Sequence, residues 1–284
     1  MKSSATLRQD IDLLQALPAL PKIASEILSI KLASDKDDAL LLKLIEKDPA
    51  ISAKIIGLAN SPLFGTSRKI LTTGDAEAVL GIKRVKMVAL SFAMMSSVTR
   101  KQRGALDVMH LWQHSMAVAL AMDALAKSMP ADKRPPDDEI YLAGLLHDLG
   151  FLVLEYIAPE ISNDFHNRIA ASGGLSAELE AETLEINHSE LGALLAEHWN
   201  LTPAIIAVMR HHHAHAVAAD VVGQPLITMC SLAERLIPTF GASDAQADEI
   251  DINEWLTLGI SAERVEEVGN AMRKRAADSS GSQA

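Results

Sequence analysis

Apolar residues recur at helical spacing along nearly the whole chain, and runs that alternate apolar with polar are almost absent. This pattern constrains the fold more than any other feature, because a helical period cannot settle into a half-buried strand. Ile23, Ile27 and Ile30 lie on one face of "LPALPKIASEILSIKLAS". In "DPAISAKIIGLAN", Asp48 is placed to cap a helix and Pro49 to take its first position. "DAEAVLG" reads as a short helix closed by Gly81, with "IKRVKMVALSFAMMSSVTR" as the next. Further helices are expected over 104–128, 137–157, 159–172, 175–186, 188–199, 202–213, 224–238 and 261–276. A disordered "ADSSGSQA" tail should follow them. Composition agrees: 49% of the residues are hydrophobic, but only 4% are aromatic. The apolar residues are mostly Leu, Ala, Ile, Val and Met, which pack well between helices. The expected fold is all-α.

The proline-rich, charged "KSMPADKRPPDD" reads as a surface loop, because helical periodicity resumes directly after it. The formal net charge of −11 lacks any long basic block, which argues against direct nucleic-acid binding. Lys83, Arg84 and Lys86 form the one local basic group, read as a solvated helix face. Cys230, the only cysteine, cannot make an internal disulfide and reads as a packing residue. "MKSSATLRQDIDLLQAL" lacks a signal-peptide pattern, and no uncharged apolar run has bilayer-spanning length. A cytoplasmic protein without membrane contact is expected.

Histidines carry the chemistry. His114, the adjacent His147–Asp148, His188 and the run His211, His212 and His213 fall on four separate expected helices. Imidazole and carboxylate are the common ligands of Zn, Fe and Mn, and helical bundles can build such sites in their cores. Singly, each residue has a structural alternative. His114 could be a satisfied core histidine, His147–Asp148 a hydrogen-bonded pair, His188 a helix-start residue, and the histidine run a helix C-terminus. Neighbours on a regular helix point about 100° apart, so His147 and Asp148 share a site only if the core brings them together. Gly150 would then let another backbone approach.

The order His114, His147–Asp148 and a late carboxylate resembles the HD superfamily of metal-dependent phosphohydrolases. "LPALPKIASEIL", "LIEKDPAISAKIIGLANSPLFG", "AEAVLGIKRVKMVALS", "YLAGLLHDLG" and "NHSELGALLAEHWNLTPAIIAVMRHHH" resemble the HDOD (HD-related output domain) family of bacterial signalling proteins, over roughly residues 15 to 240. The resemblance implies a two-lobe helical protein: an N-terminal lobe over 1–103, an HD-like bundle over 104–260, and a C-terminal helix and tail over 261–284. It implies signal transduction mainly through contacts with signalling proteins. A nucleotide or other phosphoester is the ligand it brings into view, and a homodimer the assembly. By position, His114, His147, Asp148, His188, His212 and His213 match metal ligands of the related HD-GYP phosphodiesterases. Glu234 stands where their last aspartate is. An Fe or Mn pair is expected ahead of Zn or Ni. Two departures from HD-GYP enzymes imply that cyclic di-GMP hydrolysis is absent or slow. Phe151 occupies the place of the lysine in HDxGK, and no GYP follows the histidine run.

Overall fold

The computed structural model describes residues 17–99, 104–172, 177–184, 186–214, 217–218, 220–237 and 250–280. The described residues form α-helices and short 3-10 turns, with no strand among them. The first five helices are α1 (Lys22–Ser29), α2 (Asp35–Glu46), α3 (Pro49–Ala59), α4 (Thr73–Leu80) and α5 (Ile82–Val98). Ser34, Asp48 and Thr72 accept hydrogen bonds from the first turns of α2, α3 and α4, and each such cap contributes about 1 kcal/mol. The buried faces of these helices, including Ile27, Ile45, Ile55 and Met94, make an apolar core.

The remaining helices are α6 (Val108–Ser128), α7 (Asp137–Leu146), α8 (Leu149–Ile157), α9 (Pro159–Ser172), α10 (Ala177–Thr183), α11 (His188–His198), α12 (Pro203–His211), α13 (Leu226–Leu236), α14 (Ile252–Thr257) and α15 (Val265–Ser280). α6 is the axis of this bundle, flanked by α7, α13 and α15. α8 packs on α11, and α5 lies against α7 and α8, joining the two groups of helices. Cys230 is fully buried, and burial pushes its thiol up to about 12, as suits an inert packing residue.

Three differences from the sequence expectations have physical causes. The helix expected over 137–157 is broken at His147–Asp148: Asp148 has φ −96° and ψ 11°, and Phe151 N–H donates to the Asp148 carbonyl at 3.2 Å. The local sequence is compatible with one continuous helix, so the break comes from tertiary contacts of the two polar side chains. The helix expected over 202–213 ends at His211, which leaves His212 and His213 in a turn. The last helix runs to Ser280 rather than 276, because Ala276 is still buried and no glycine or proline intervenes before Gly281. His215, the N-terminal segment 1–16 and the final residues 281–284 lie outside the described residues.

Asp137–Ile157 has the length and apolarity of a membrane span, yet 83% of that window is buried inside the protein. It also contains the break and its two polar residues, as a core segment can.

Candidate metal centre

Four helices and two junctions deliver the site. His114 comes from the middle of α6, and Glu234 from α13. His147 and Asp148 occupy the α7–α8 break, His188 opens α11, and His212 and His213 follow α12. The break resolves the problem of adjacent residues pointing apart, since Asp148 leaves helical geometry exactly where its carboxylate must turn inward. Gly150 allows the next step: a Cβ there would lie 1.8 Å from the His188 carbonyl oxygen. Only glycine lets α8 approach the start of α11 so closely.

All the residues expected at the site come together except His211, which is exposed at the end of α12. Asp148 stands between two groups. One of its oxygens, Oδ2, lies 3.2 Å from His147 Nε2 and 3.7 Å from His114 Nε2. The other, Oδ1, lies 3.4 Å from both His188 Nε2 and His212 Nε2. Glu234 Oε1 closes the first group, 2.5 Å from His114 Nε2 and 2.8 Å from His147 Nε2. His213 closes the second, its Nε2 3.0 Å from that of His188. Within each group, one ligand-type atom per residue lies within 4.8 Å of all the others. His147 is fully buried and Asp148 is 2% exposed, whereas His213 reaches the surface.

The outer nitrogens are held from behind. His147 Nδ1 donates to the Gly144 carbonyl at 2.9 Å, and His212 Nδ1 to the Met209 carbonyl at 3.0 Å. A carbonyl can only accept, so Nδ1 carries the proton and Nε2 faces the cluster. Glu180 does this for His188, accepting at 2.7 Å from both its Nδ1 and its backbone N–H. Sequence reading missed Glu180. Its only signal was a carboxylate eight residues before the histidine, too weak to select it from its acidic neighbours.

Charge is balanced at close range. Burial alone would raise the carboxyl of Asp148, yet His147, His188 and His212 hold it well below the usual range. Burial likewise opposes ionisation of Glu234, and His114 and His147 override it. The same carboxylates overcome the burial of His147, holding it well above the ordinary imidazole range. For His188, Glu180 and Asp148 outweigh burial and raise it to about 9. Burial wins at His212, which is lowered.

These residues fit a metal. His147 Nε2 and Asp148 Oδ1 are buried without a hydrogen bond although both point into the cluster, and native interiors rarely leave such atoms unanswered. Mutually facing imidazole nitrogens and two buried carboxylates need cations between them. A divalent ion in each group would satisfy nitrogen and oxygen donors together.

Phe151 sits beside this cluster, fully buried, its ring stacked on His188 at 4.1 Å and 14°. The place expected to hold a lysine in an HD-GYP enzyme is thus filled by an apolar ring.

The chain is similar in fold to a candidate signal transduction protein from Marinobacter aquaeolei VT8, with a TM-score of 0.76 at 24% identity. That match covers 94% of this chain and 59% of the other. A candidate phosphohydrolase from Shewanella amazonensis SB2B matches with a TM-score of 0.69 at 23% identity, over 99% of both chains. A Treponema pallidum (strain Nichols) protein is 26% identical over 224 residues. Those residues are 77% of this chain and 42% of that protein, so this chain spans less than half of its length. The HDOD domain profile matches residues 17–215, most of the helical region described above, and the chain therefore belongs to the HDOD domain family.

Proposed function

We propose that this chain is a signalling output module that keeps a two-metal centre and acts mainly through contacts with other proteins. The metal reading is carried by the division of the Asp148 carboxylate between two sets of histidines. His114, His147, Asp148 and Glu234 would hold one ion, and Asp148, His188, His212 and His213 the other. The mixed nitrogen and oxygen donors suit Fe or Mn better than a closed structural zinc site, which is usually tetrahedral. Bound there, such a pair supplies Lewis acidity and an activated water.

The chain's own residues set limits on that chemistry. Glu180, Gly144 and Met209 orient three imidazoles, and Phe151 excludes water beside His188. No cation stands where Phe151 lies to stabilise developing phosphoryl charge, which supports absent or slow hydrolysis of cyclic di-GMP. The lobes would divide near residue 103, with α1–α5 offering contact surface to a signalling partner.

A second reading, a phosphohydrolase acting on a nucleotide or other phosphoester, is favoured by the surface position of His213. That edge gives the second group a face toward solvent. The Shewanella amazonensis protein described as a candidate phosphohydrolase supports the same reading.

Elemental analysis of protein purified without a metal-affinity tag tests the first reading, followed by a screen of phosphoesters. The expected result is about two equivalents of Fe or Mn, lost in Asp148→Ala, with no efficient turnover of cyclic di-GMP. Background metal in both proteins would overturn the metal centre. Turnover of any phosphoester at about 1 per second or faster, dependent on Asp148, would put the enzyme reading first.

A further inference from the structure

We infer that a second site lies where α5 meets α6 and α7, and that it binds a small oxyanion of phosphate size. A cavity of about 220 Å³ opens there, lined by the Gly81–Arg84 start of α5, Asp123 of α6, and Asp138 and Tyr141 of α7. α5 is 17 residues long, yet no side chain caps its N-terminus and its first turn holds no acidic residue. By contrast, Ser34, Asp48, Thr72 and Asp107 cap α2, α3, α4 and α6. The free N–H groups and positive dipole end of α5 therefore face the cavity together with Lys83 and Arg84.

Tyr141 supplies an independent sign of a missing ligand. It is 3% exposed, lines the cavity, and its hydroxyl makes no hydrogen bond of ordinary geometry. Arg84 Nε is buried and unpaired as well, with the guanidinium 4.8 Å over the Tyr141 ring and 5.5 Å over Phe64.

The carboxylates around the cavity are mostly answered. Asp123 pairs with Lys127 at 2.7 Å and Arg84 at 3.8 Å, and Asp137 with Arg134 at 2.7 Å. Asp138 is exposed at the rim, with Lys86 as its neighbouring charge. The buried groups left over can both donate, and an oxyanion accepts from both. The volume is below the usual range for drug-sized ligands, so a dinucleotide is excluded and a single phosphate-bearing group fits. Asp123 lies nine residues after His114 on α6, about 13 Å along the helix, which separates this site from the histidine cluster. Because α6 and α7 carry both sites, occupancy of one bears on the helices that build the other.

The test is calorimetric titration of inorganic phosphate into metal-stripped protein. Saturable binding in the millimolar range or tighter is expected for the wild type and equally for His188→Gln. Tyr141→Phe should weaken it about tenfold. Lys83→Ala, an exposed change that leaves the core intact, should weaken it several-fold. No binding by the wild type would overturn the proposal. So would loss in His188→Gln with unchanged binding in Tyr141→Phe and Lys83→Ala, which would place the phosphate at the histidine cluster.

Discussion

The N-terminal helices and the interior around α6–α8 are both densely buried, but they are built on opposite terms. In the first region, helix starts are capped by Ser34, Asp48 and Thr72, and the buried side chains are overwhelmingly apolar. In the second, α7 and α8 start without side-chain caps, and the interior holds His114, His147, Asp148, His188 and His212. Replacing buried ionic groups by apolar ones is often neutral or stabilising. Their presence here is therefore better explained by a bound cation than by stability, whereas the N-terminal core is explained by stability alone.

The sharpest way to break this comparison is a pair of substitutions. Asp148→Ala should abolish metal binding, since one carboxylate serves both groups. Ile55→Ala, in the fully buried face of α3, should lower unfolding stability by about 2–5 kcal/mol and leave metal content unchanged. Elemental analysis and denaturant titration on both variants decide it. If Ile55→Ala lost metal while folded, the two regions would not be separable.

Glycines give the next largest contrast. Gly150→Ala would push a methyl group into the His188 carbonyl, so α8 and α11 must part and the two metal groups lose their spacing. A fall in melting temperature with weakened metal binding is expected.

The titration of the metal-free cluster gives a smaller, pH-dependent effect. His188 is raised from 6.5 to about 9 in the fold. Its contribution is thus fully present below about pH 6.5 and is lost as pH rises toward 9. Asp148, Glu234 and Glu180 are depressed from 3.8, 4.5 and 4.5, so their contributions hold above those values and fade in acid. Thermal melts of chelator-treated protein should therefore weaken on both sides of a middle window. Glu180→Gln should flatten the alkaline limb and weaken metal binding about 10–100-fold. An unchanged alkaline limb would remove Glu180 from its role behind His188.

The smallest expected effect is a gain. Gly57 in α3 has nothing within 4 Å of a Cβ, so Gly57→Ala should stabilise the protein by about 0.5–1 kcal/mol without touching the metal, as denaturant titration would measure.

The sequence by itself determined the all-α fold, the caps at Asp48 and Gly81, and the candidate ligand set, because periodicity, capping and ligand chemistry are local or compositional properties. It could also mark Gly150 as a place of close approach. Tertiary structure decided the rest. The break at His147–Asp148 contradicts the local helical pattern and exists because Asp148 must face His188 and His212 from other helices. The choice of His213 over His211 depends on where α12 stops, a matter of one residue that periodicity does not resolve. Glu180 and Tyr141 gain meaning only from what packs against them: a His188 imidazole in one case, and an uncapped helix start in the other. Long-range contact is what turns such ordinary residues into parts of a site, and a linear pattern does not carry it.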